Sequence, residues 1–282
     1  MYNDYFYTEK DINDIKIALL SDIHYAPHYK LKILDNLYKQ ILDNKPNYIC
    51  ITGDILDNAL YHKIDPLIEW LDKLSKLAPV VIIYGNHDTK KGYMHHWEEE
   101  QNSHLRNILN NMDNVHFLED STWQDNNILF YGYNPSYKHY EIKYESYDSF
   151  CHEMEKTHIP FTKDTYNILL FHSPINIYKY IYNNKDKPIS NTDLILSGHC
   201  HNGCVPFWIT RIYNKIFKST RSFINPIRKL FSKYTQGHVY EDTDGFIHQG
   251  VIKFSYSSKL FNKLDFIYSK KVQFINIKRG TK

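Results

Sequence analysis

The stretch YICITGDILD at residues 48–57 decides the fold of this chain. Its first half, Tyr48–Thr52, is short, apolar and partly β-branched, which predicts a buried β-strand. Its second half turns polar at once and carries two carboxylates, Asp54 and Asp57. A buried strand that ends in a polar turn is typical of open α/β sheets, because ligands bind there at the carboxyl ends of the strands.

The same arrangement recurs on both sides of this stretch. Apolar runs at 15–20 and 80–84 predict two neighbouring strands. Between the strands, leucine and isoleucine recur at helical spacing, and Pro46 and Pro79 stand where helices usually end. This alternation predicts an α/β fold whose strands are buried on both faces. Further strands are predicted at 115–118, 128–131, 168–171, 194–197, 247–255 and 272–277.

The composition is that of a globular protein and excludes several other classes. Of the 282 residues, 34 are Lys or Arg and 32 are Asp or Glu, so the net charge of +2 argues against a dedicated nucleic-acid-binding protein. The first ten residues do not resemble a secretory signal, and no apolar run is long enough to span a membrane. Four cysteines do not make a disulfide framework. We therefore predict one domain over residues 1–282 in the cytoplasm, with no specific nucleic-acid partner and no protein partner.

Ligand-type side chains follow five of the apolar runs. We expect them to meet in one crevice, because each stands at the carboxyl end of a predicted strand. Carboxylates and imidazoles together suit manganese, iron or zinc better than calcium or magnesium alone. Seven candidate ligands are too many for one ion, and they fit two divalent ions that share a bridging carboxylate. The candidates are Asp22, His24, Asp54, Asn86, His172, His199 and His201.

The order of these motifs resembles a known family. The chain reads DIH at 22–24, GDILD at 53–57, GNHD at 85–88, a lone His172 and GHCH at 198–201. This pattern is similar to that of the calcineurin-like metallophosphoesterase superfamily, and its wording is similar to the bacterial YkuE-type branch. The resemblance covers roughly residues 15 to 205 and implies a four-layer α-β-β-α sandwich. The chain departs from that branch at Asn202 and Cys204, which puts the carry-over of the branch's substrate in question.

The resemblance also implies a role for each motif residue. Asp54 would bridge the two ions. His87 would protonate the leaving group or stabilise the transition state, and Asp57 would orient His87. Asp88 is expected to brace its turn. The first ion would be held by Asp22, His24 and His201, and the second by Asn86, His172 and His199.

These features predict a dimetal-dependent phosphohydrolase. The two cations would clamp phosphate oxygens and lower the pKa of a water molecule, so that hydroxide is available to attack phosphorus at neutral pH. A phosphodiester or pyrophosphate substrate is favoured, with a lipid or a nucleotide as the linked group. The alternatives are a phosphomonoesterase or protein phosphatase, and a non-catalytic interaction module that has kept the fold.

A basic and aromatic stretch at about 205–240 follows the last motif. Cations interleaved with apolar side chains suit an anionic lipid surface or an anionic substrate. The alternative is a solvated insertion that packs its apolar stripe on the domain. Because the stretch directly follows the GHCH motif, we expect a cap over the metals or a peripheral contact with an anionic membrane. Substrate or membrane contacts are predicted at Arg211, Lys215, Lys218 and Arg221.

Overall fold

The computed structural model describes most of the first 200 residues and parts of the remainder. The described residues are 3–26, 29–58, 63–89, 103–135, 139, 147–174, 176–200, 237–239, 243–248, 250–251 and 270–281. Within them the chain forms two six-stranded mixed sheets and five α-helices. The strands are β1 (Asn3–Thr8), β2 (Ile15–Leu20), β3 (Tyr48–Thr52), β4 (Val80–Ile83), β5 (Val115–Phe117), β6 (Ser121–Asp125), β7 (Ile128–Tyr133), β8 (Tyr166–Phe171), β9 (Leu194–Ser197), β10 (Gly237–Val239), β11 (Asp244–Ile247) and β12 (Gln273–Arg279). The helices are α1 (Lys32–Asn44), α2 (Asp65–Ser75), α3 (Ser103–Asn110), α4 (Tyr147–Met154) and α5 (Ile177–Asn183).

The first sheet has the strand order β1-β12-β2-β3-β4-β5, and the second has the order β10-β11-β9-β8-β7-β6. Strands β2 to β5 run parallel to one another, as do β7, β8, β9 and β11. The antiparallel pairs lie towards the margins of this parallel core, at β12 with β2, β6 with β7, and β10 with β11. The parallel strands therefore place their carboxyl ends at common edges.

Alternate side chains of each central strand enter different layers of the core. In β2, Ile17 and Leu19 pack between the two sheets, whereas Ala18 and Leu20 pack beneath the helices. This division follows from the period of two in a strand, which sends successive side chains to opposite faces. It explains why these strands read as continuous apolar runs in the sequence.

The helices complete a four-layer α-β-β-α sandwich. Helices α1, α2 and α3 pack on the outer face of the first sheet, and their apolar side chains form one cluster with it. Helices α4 and α5 cover the outer face of the second sheet in the same way. A third cluster, to which both sheets contribute, fills the space between them. This arrangement confirms the predicted fold class.

The two facing sheets contact each other through the residues that follow the carboxyl ends of their parallel strands. His172, which follows β8, donates from Nδ1 to the carbonyl oxygen of Thr52 at the end of β3, at 2.6 Å. The backbone N–H of His199, which follows β9, donates to the Asp22 carboxylate after β2, at 3.1 Å. Residues from both sheets thus face one crevice.

The structure differs from the sequence-based prediction in several elements. Strands β1, β6 and β10 are not predicted. Of the strand predicted at 247–255, Ile247 is the last residue of β11 (Asp244–Ile247), residues 248, 250 and 251 are not in a strand, and residues 249 and 252–255 lie outside the described residues. Of the predicted insertion at 205–240, only Gly237–Val239 is described, and it forms β10. Arg211, Lys215, Lys218 and Arg221 lie outside the described residues. Among the described helices, none is both long and apolar enough to cross a membrane.

Candidate metal centre

Four of the predicted metal ligands adopt a left-handed backbone conformation. For a residue with a side chain this conformation costs about 1–2 kcal/mol, and such strain clusters at functional sites. Here it lets the chain turn sharply as it leaves a strand, which directs the side chain into the crevice. The four residues and their φ angles are Asp22 (55°), His24 (48°), Asp54 (50°) and His199 (68°).

Two glycines allow the turns to approach one another closely. A Cβ atom on Gly198 would overlap the Ser21 side chain and lie 2.6 Å from Asp22 Oδ2. A Cβ atom on Gly85 would likewise overlap the Asp54 carboxylate. Gly198 and Gly85, which precede His199 and Asn86, are therefore required, because the Cβ atom of any other residue would clash with the turns that carry Asp22 and Asp54.

The candidate ligands form two groups that share one carboxylate. In each group, one ligand atom from every member lies within 4.8 Å of the others. Asp54 belongs to both groups, which is the position expected of a bridging ligand. Its Oδ2 lies 3.3 Å from His172 Nε2 and 3.6 Å from His24 Nε2. The groups are Asp22, His24 and Asp54, and Asp54, His172 and His199; a third group that meets the same criterion joins His24 to Asp57 and His87, which are not predicted ligands.

Asn86 supplies an independent test of whether the site suits a cation. Its Oδ1 is buried and accepts no hydrogen bond from any described residue. A buried polar atom without a partner costs about 1–3 kcal/mol, so it calls for a ligand. An amide oxygen, carboxylates and imidazoles are together a donor set that a divalent transition metal binds. The residues present therefore fit the implied ions. His201, the remaining predicted ligand, lies outside the described residues.

Asp54 and His172 are strongly coupled. Burial alone would raise the pKa of Asp54, but the attraction of His172, His87 and His24 outweighs burial and holds that pKa well below its ordinary value. Burial would lower the pKa of His172, yet the attraction of Asp54 and a hydrogen bond to it raise the value to about 9. The centre therefore carries concentrated negative charge that a proton, or a metal cation, neutralises.

The hydrogen bond of His172 fixes its tautomer. Because a carbonyl oxygen only accepts, the bond to Thr52 requires the proton on Nδ1. Nε2, which faces Asp54, then presents its lone pair when the ring is neutral. Histidines that bind metals are commonly oriented in this manner, by a carbonyl oxygen that accepts a hydrogen bond from the other ring nitrogen.

His87 lies beside this centre, and the structure shows which group of Asp57 contacts it. Its Nδ1 donates to the main-chain oxygen of Asp57 at 2.8 Å, and not to the Asp57 carboxylate. The Asp57 carboxylate lies instead 3.3 Å from Nδ1 of His24. The rings of His24 and His87 meet edge to face, with centroids 4.6 Å apart. Asp57 thus contacts both histidines, through different groups.

Asp88 holds two of the ligand-bearing turns together. Its fully buried carboxylate accepts hydrogen bonds from the backbone N–H groups of Leu56 and Gly85, both at 2.8 Å, and of Ile55 at 3.2 Å. Burial, followed by repulsion from Asp54, raises the pKa of Asp88 to about 7, although the three N–H groups oppose that rise. These contacts show the bracing role that was expected of this residue.

Comparison with known proteins places this site in a family. A family model described as calcineurin-like phosphoesterase matches residues 15–203, which include every candidate ligand. The chain belongs to the calcineurin-like phosphoesterase family. The match begins at β2 and ends just past the GHCH motif, so it covers both groups of ligands and the parallel strands that carry them.

Curated relatives carry related names. An uncharacterized metallophosphoesterase, YkuE of Bacillus subtilis, is 38% identical over 74 residues, which are 26% of each chain. A putative metallophosphoesterase of Caenorhabditis elegans is 24% identical over 263 residues, covering 92% of this chain and 49% of the relative. A bovine transmembrane protein with a metallophosphoesterase domain is 26% identical over 201 residues, covering 68% and 41%. The chain spans at most about half the length of these relatives.

A solved structure also aligns with much of the chain. A dimetal phosphatase from Danio rerio covers 84% of this chain and 87% of its own, with 10% identity and a TM-score of 0.44.

Proposed function

We propose that this protein is a metal-dependent hydrolase of phosphoric esters that uses two divalent ions. The observation that carries the proposal is the pair of ligand groups joined by Asp54, beside the buried and unpartnered Asn86 Oδ1. Asp22, His24 and Asp54, together with His201, would hold one ion. Asp54, Asn86, His172 and His199 would hold the other. Bound manganese, iron or zinc would supply charge for the phosphate oxygens and acidify water.

His87 is proposed as the catalytic acid. Since Nδ1 donates to the Asp57 carbonyl, Nε2 is the nitrogen left to act on a substrate. In its protonated form Nε2 would donate a proton to the oxygen of the leaving group, which prevents the build-up of an alkoxide. Asp57 would position His87 through its main-chain oxygen and His24 through its carboxylate.

For the substrate, we propose a phosphodiester or pyrophosphate linked to a lipid or nucleotide. The support is the basic and aromatic stretch at 205–240, which follows the GHCH motif in the sequence and carries Arg211, Lys215, Lys218 and Arg221. Such a stretch suits an apolar anionic substrate or an anionic membrane surface. Faster turnover of bis(p-nitrophenyl) phosphate than of p-nitrophenyl phosphate would support the diester. Lack of any binding to vesicles of anionic lipid, and of any effect of such vesicles on activity, would contradict the membrane contact.

The catalytic proposal is tested by replacing His87. We expect His87→Ala to lower kcat on a chromogenic phosphoester by about 10²–10⁴-fold, because an oriented general acid is lost. Metal content should stay at the wild-type level, because His87 is not a proposed ligand. The matched control is His152→Ala, at an exposed position on α4. Unchanged turnover by His87→Ala would contradict the role of His87, and failure of metal-loaded wild-type protein to cleave either ester would contradict the hydrolase.

A further inference from the structure

A second asparagine near this edge of the sheet has a side chain that nothing in the described chain satisfies. Asn134 directly follows β7. Both its Nδ2 and its Oδ1 are buried, and neither makes a hydrogen bond to a described residue. An amide normally finds partners when it is buried, and leaving both ends unpaired costs about 1–3 kcal/mol for each group. The Asn134 amide therefore calls for a partner that is not among the described residues.

The register of the second sheet places Asn134 at the sheet edge that carries His172 of the proposed metal centre. β7 and β8 are parallel, and Tyr133 is paired with Phe171. Asn134 directly follows Tyr133 of this pair, and His172 directly follows Phe171. The two residues leave neighbouring strands at the same edge of the sheet.

The alternation along β7 indicates which way the amide faces. Ile128 and Phe130 pack between the sheets. A Cβ atom on Gly132 would lie 2.6 Å from Ile83 at the end of β4. Asn134 continues this even-numbered series towards the first sheet. Asn86, whose own Oδ1 is buried and unpartnered, follows β4 by three residues.

The surroundings hold Asn134 in place. Its backbone N–H donates to Asp120 Oδ1 at 3.0 Å. The preceding Tyr133 packs its ring on Phe171, with centroids 5.2 Å apart, and its hydroxyl donates to Glu153 at 3.5 Å. These contacts fix the backbone at Asn134, so a ligand that binds its amide has only the side chain to order.

We propose that Asn134 is a substrate-binding residue, whose Nδ2 donates a hydrogen bond to a non-bridging oxygen of the phosphoryl group. The inference rests on the proposed function, because it assumes a phosphoryl group at the metal centre. A neutral amide suits this place: it offers N–H to the anion and adds no positive charge that would repel the two cations. A carboxylate in the same place would face the phosphate oxygens and repel them.

Binding of inorganic phosphate to the metal-loaded protein tests the inference by calorimetry, without the need for turnover. We expect Asn134→Ala to weaken phosphate binding about tenfold, because one charge-assisted hydrogen bond is lost. Asn134→Asp, which keeps the shape of the side chain, should weaken binding more than Asn134→Ala. Both variants should hold as much metal as wild type. The control is Asn107→Ala, at an exposed position on α3.

Failure of this inference is distinguishable from failure of the proposed function. Wild-type affinity for phosphate in both Asn134 variants would overturn the role of Asn134 while leaving hydrolysis untouched. Loss of metal from Asn134→Ala would also overturn it, because the residue would then be a ligand of the ions. Absence of phosphate binding by metal-loaded wild type would overturn it as well. Phosphate binding without any cleavage of phosphoesters would contradict only the hydrolase.

Discussion

At the scale of single residues, the site depends on a few atoms that could not be assigned from the sequence. The motifs identified Asp57 and His87 as neighbours, and the structure brings them together. The contact is nevertheless made by the main-chain oxygen of Asp57, while its carboxylate turns to His24. Sequence motifs give residue types and spacing, whereas which atom of a residue faces a partner depends on the backbone dihedrals of the turn. Asn134 is not predicted from the sequence, because the residues YGYN at the end of this apolar run do not form a motif of metal ligands.

Close approach at Gly198 makes a testable prediction for the metal centre. In Gly198→Ala the new methyl group must displace Ser21 or Asp22, because its Cβ would overlap Ser21 and crowd the Asp22 carboxylate. We expect affinity for the ion at Asp22 to fall by about 10–100-fold, as when a group that orients a ligand is disturbed. Titration with manganese, followed by calorimetry, measures the change.

Gly280→Ala is the control for manganese affinity. A Cβ atom there meets nothing within 4 Å, and the backbone strain that alanine would suffer at φ 130° falls beyond the end of β12 that pairs with the amino end of β2, opposite to Asp22. The manganese affinity of this variant should equal that of the wild type. A Gly198→Ala protein that binds manganese as tightly as the wild type would show that the turns after β2 and β9 do not need their close contact.

At the scale of elements, the buried central strands are predicted well, whereas strands at the margins of the sheets are missed. β2, β3 and β9 occur with the predicted bounds, because burial on both faces leaves a continuous apolar run. β6 (STWQD) and β1 (NDYFYT) lie at the outer margins of their sheets. Strands in this position expose side chains such as Tyr5 and Tyr7, so their sequences lack the continuous apolar run that identifies a buried strand. Pairing with a neighbouring strand, rather than local pattern, defines them.

The amino end of β8 provides a prediction about stability. Asn167 is fully buried, and its Nδ2 donates to the carbonyl oxygens of Thr162 and Asn191, at 2.6 and 2.7 Å. Asn167→Ala leaves both acceptors unsatisfied, so we expect the free energy of unfolding to fall by about 2–4 kcal/mol. Urea denaturation monitored by circular dichroism measures it.

The control for Asn167 is Asn127→Ala, which removes one exposed hydrogen bond, of 2.9 Å, to the carbonyl oxygen of Asp11. Its effect should stay within about 0.5 kcal/mol. Metal content should be unchanged in both variants, because Asn167 lies at the end of β8 opposite to His172. Equal stability of Asn167→Ala and wild type would contradict the importance of this network.

At the scale of the whole molecule, the metal centre joins the two halves of the sandwich. The ligands follow strands of both sheets, and in the described part of the chain the contacts of His172 with Thr52 and of His199 with Asp22 cross from one sheet to the other. Binding of ions should therefore stabilise the folded chain as one unit. The α/β class could be predicted from the alternation of strand and helix patterns, and the four-layer sandwich is what the family resemblance carried by the order of motifs implies.

Removal of the metals should lower the thermal stability of the entire domain. A ligand present at 100 times its dissociation constant contributes about 2.7 kcal/mol, which corresponds to a shift in Tm of about 5 °C or more for a chain of this size. Differential scanning calorimetry before and after treatment with a chelator measures the shift, and re-addition of manganese should reverse it. An unchanged Tm would show that the two sheets hold together without help from the ions.

The most direct test of the account is the number of metal ions that one chain retains. Purified protein is supplied with manganese, iron or zinc, dialysed against metal-free buffer and analysed by inductively coupled plasma mass spectrometry, beside Asp54→Asn. The account predicts about two ions per chain for the wild type and fewer than one for Asp54→Asn, because both sites lose the shared carboxylate. A wild-type chain that retains no ion, or an Asp54→Asn chain that retains both, would contradict it.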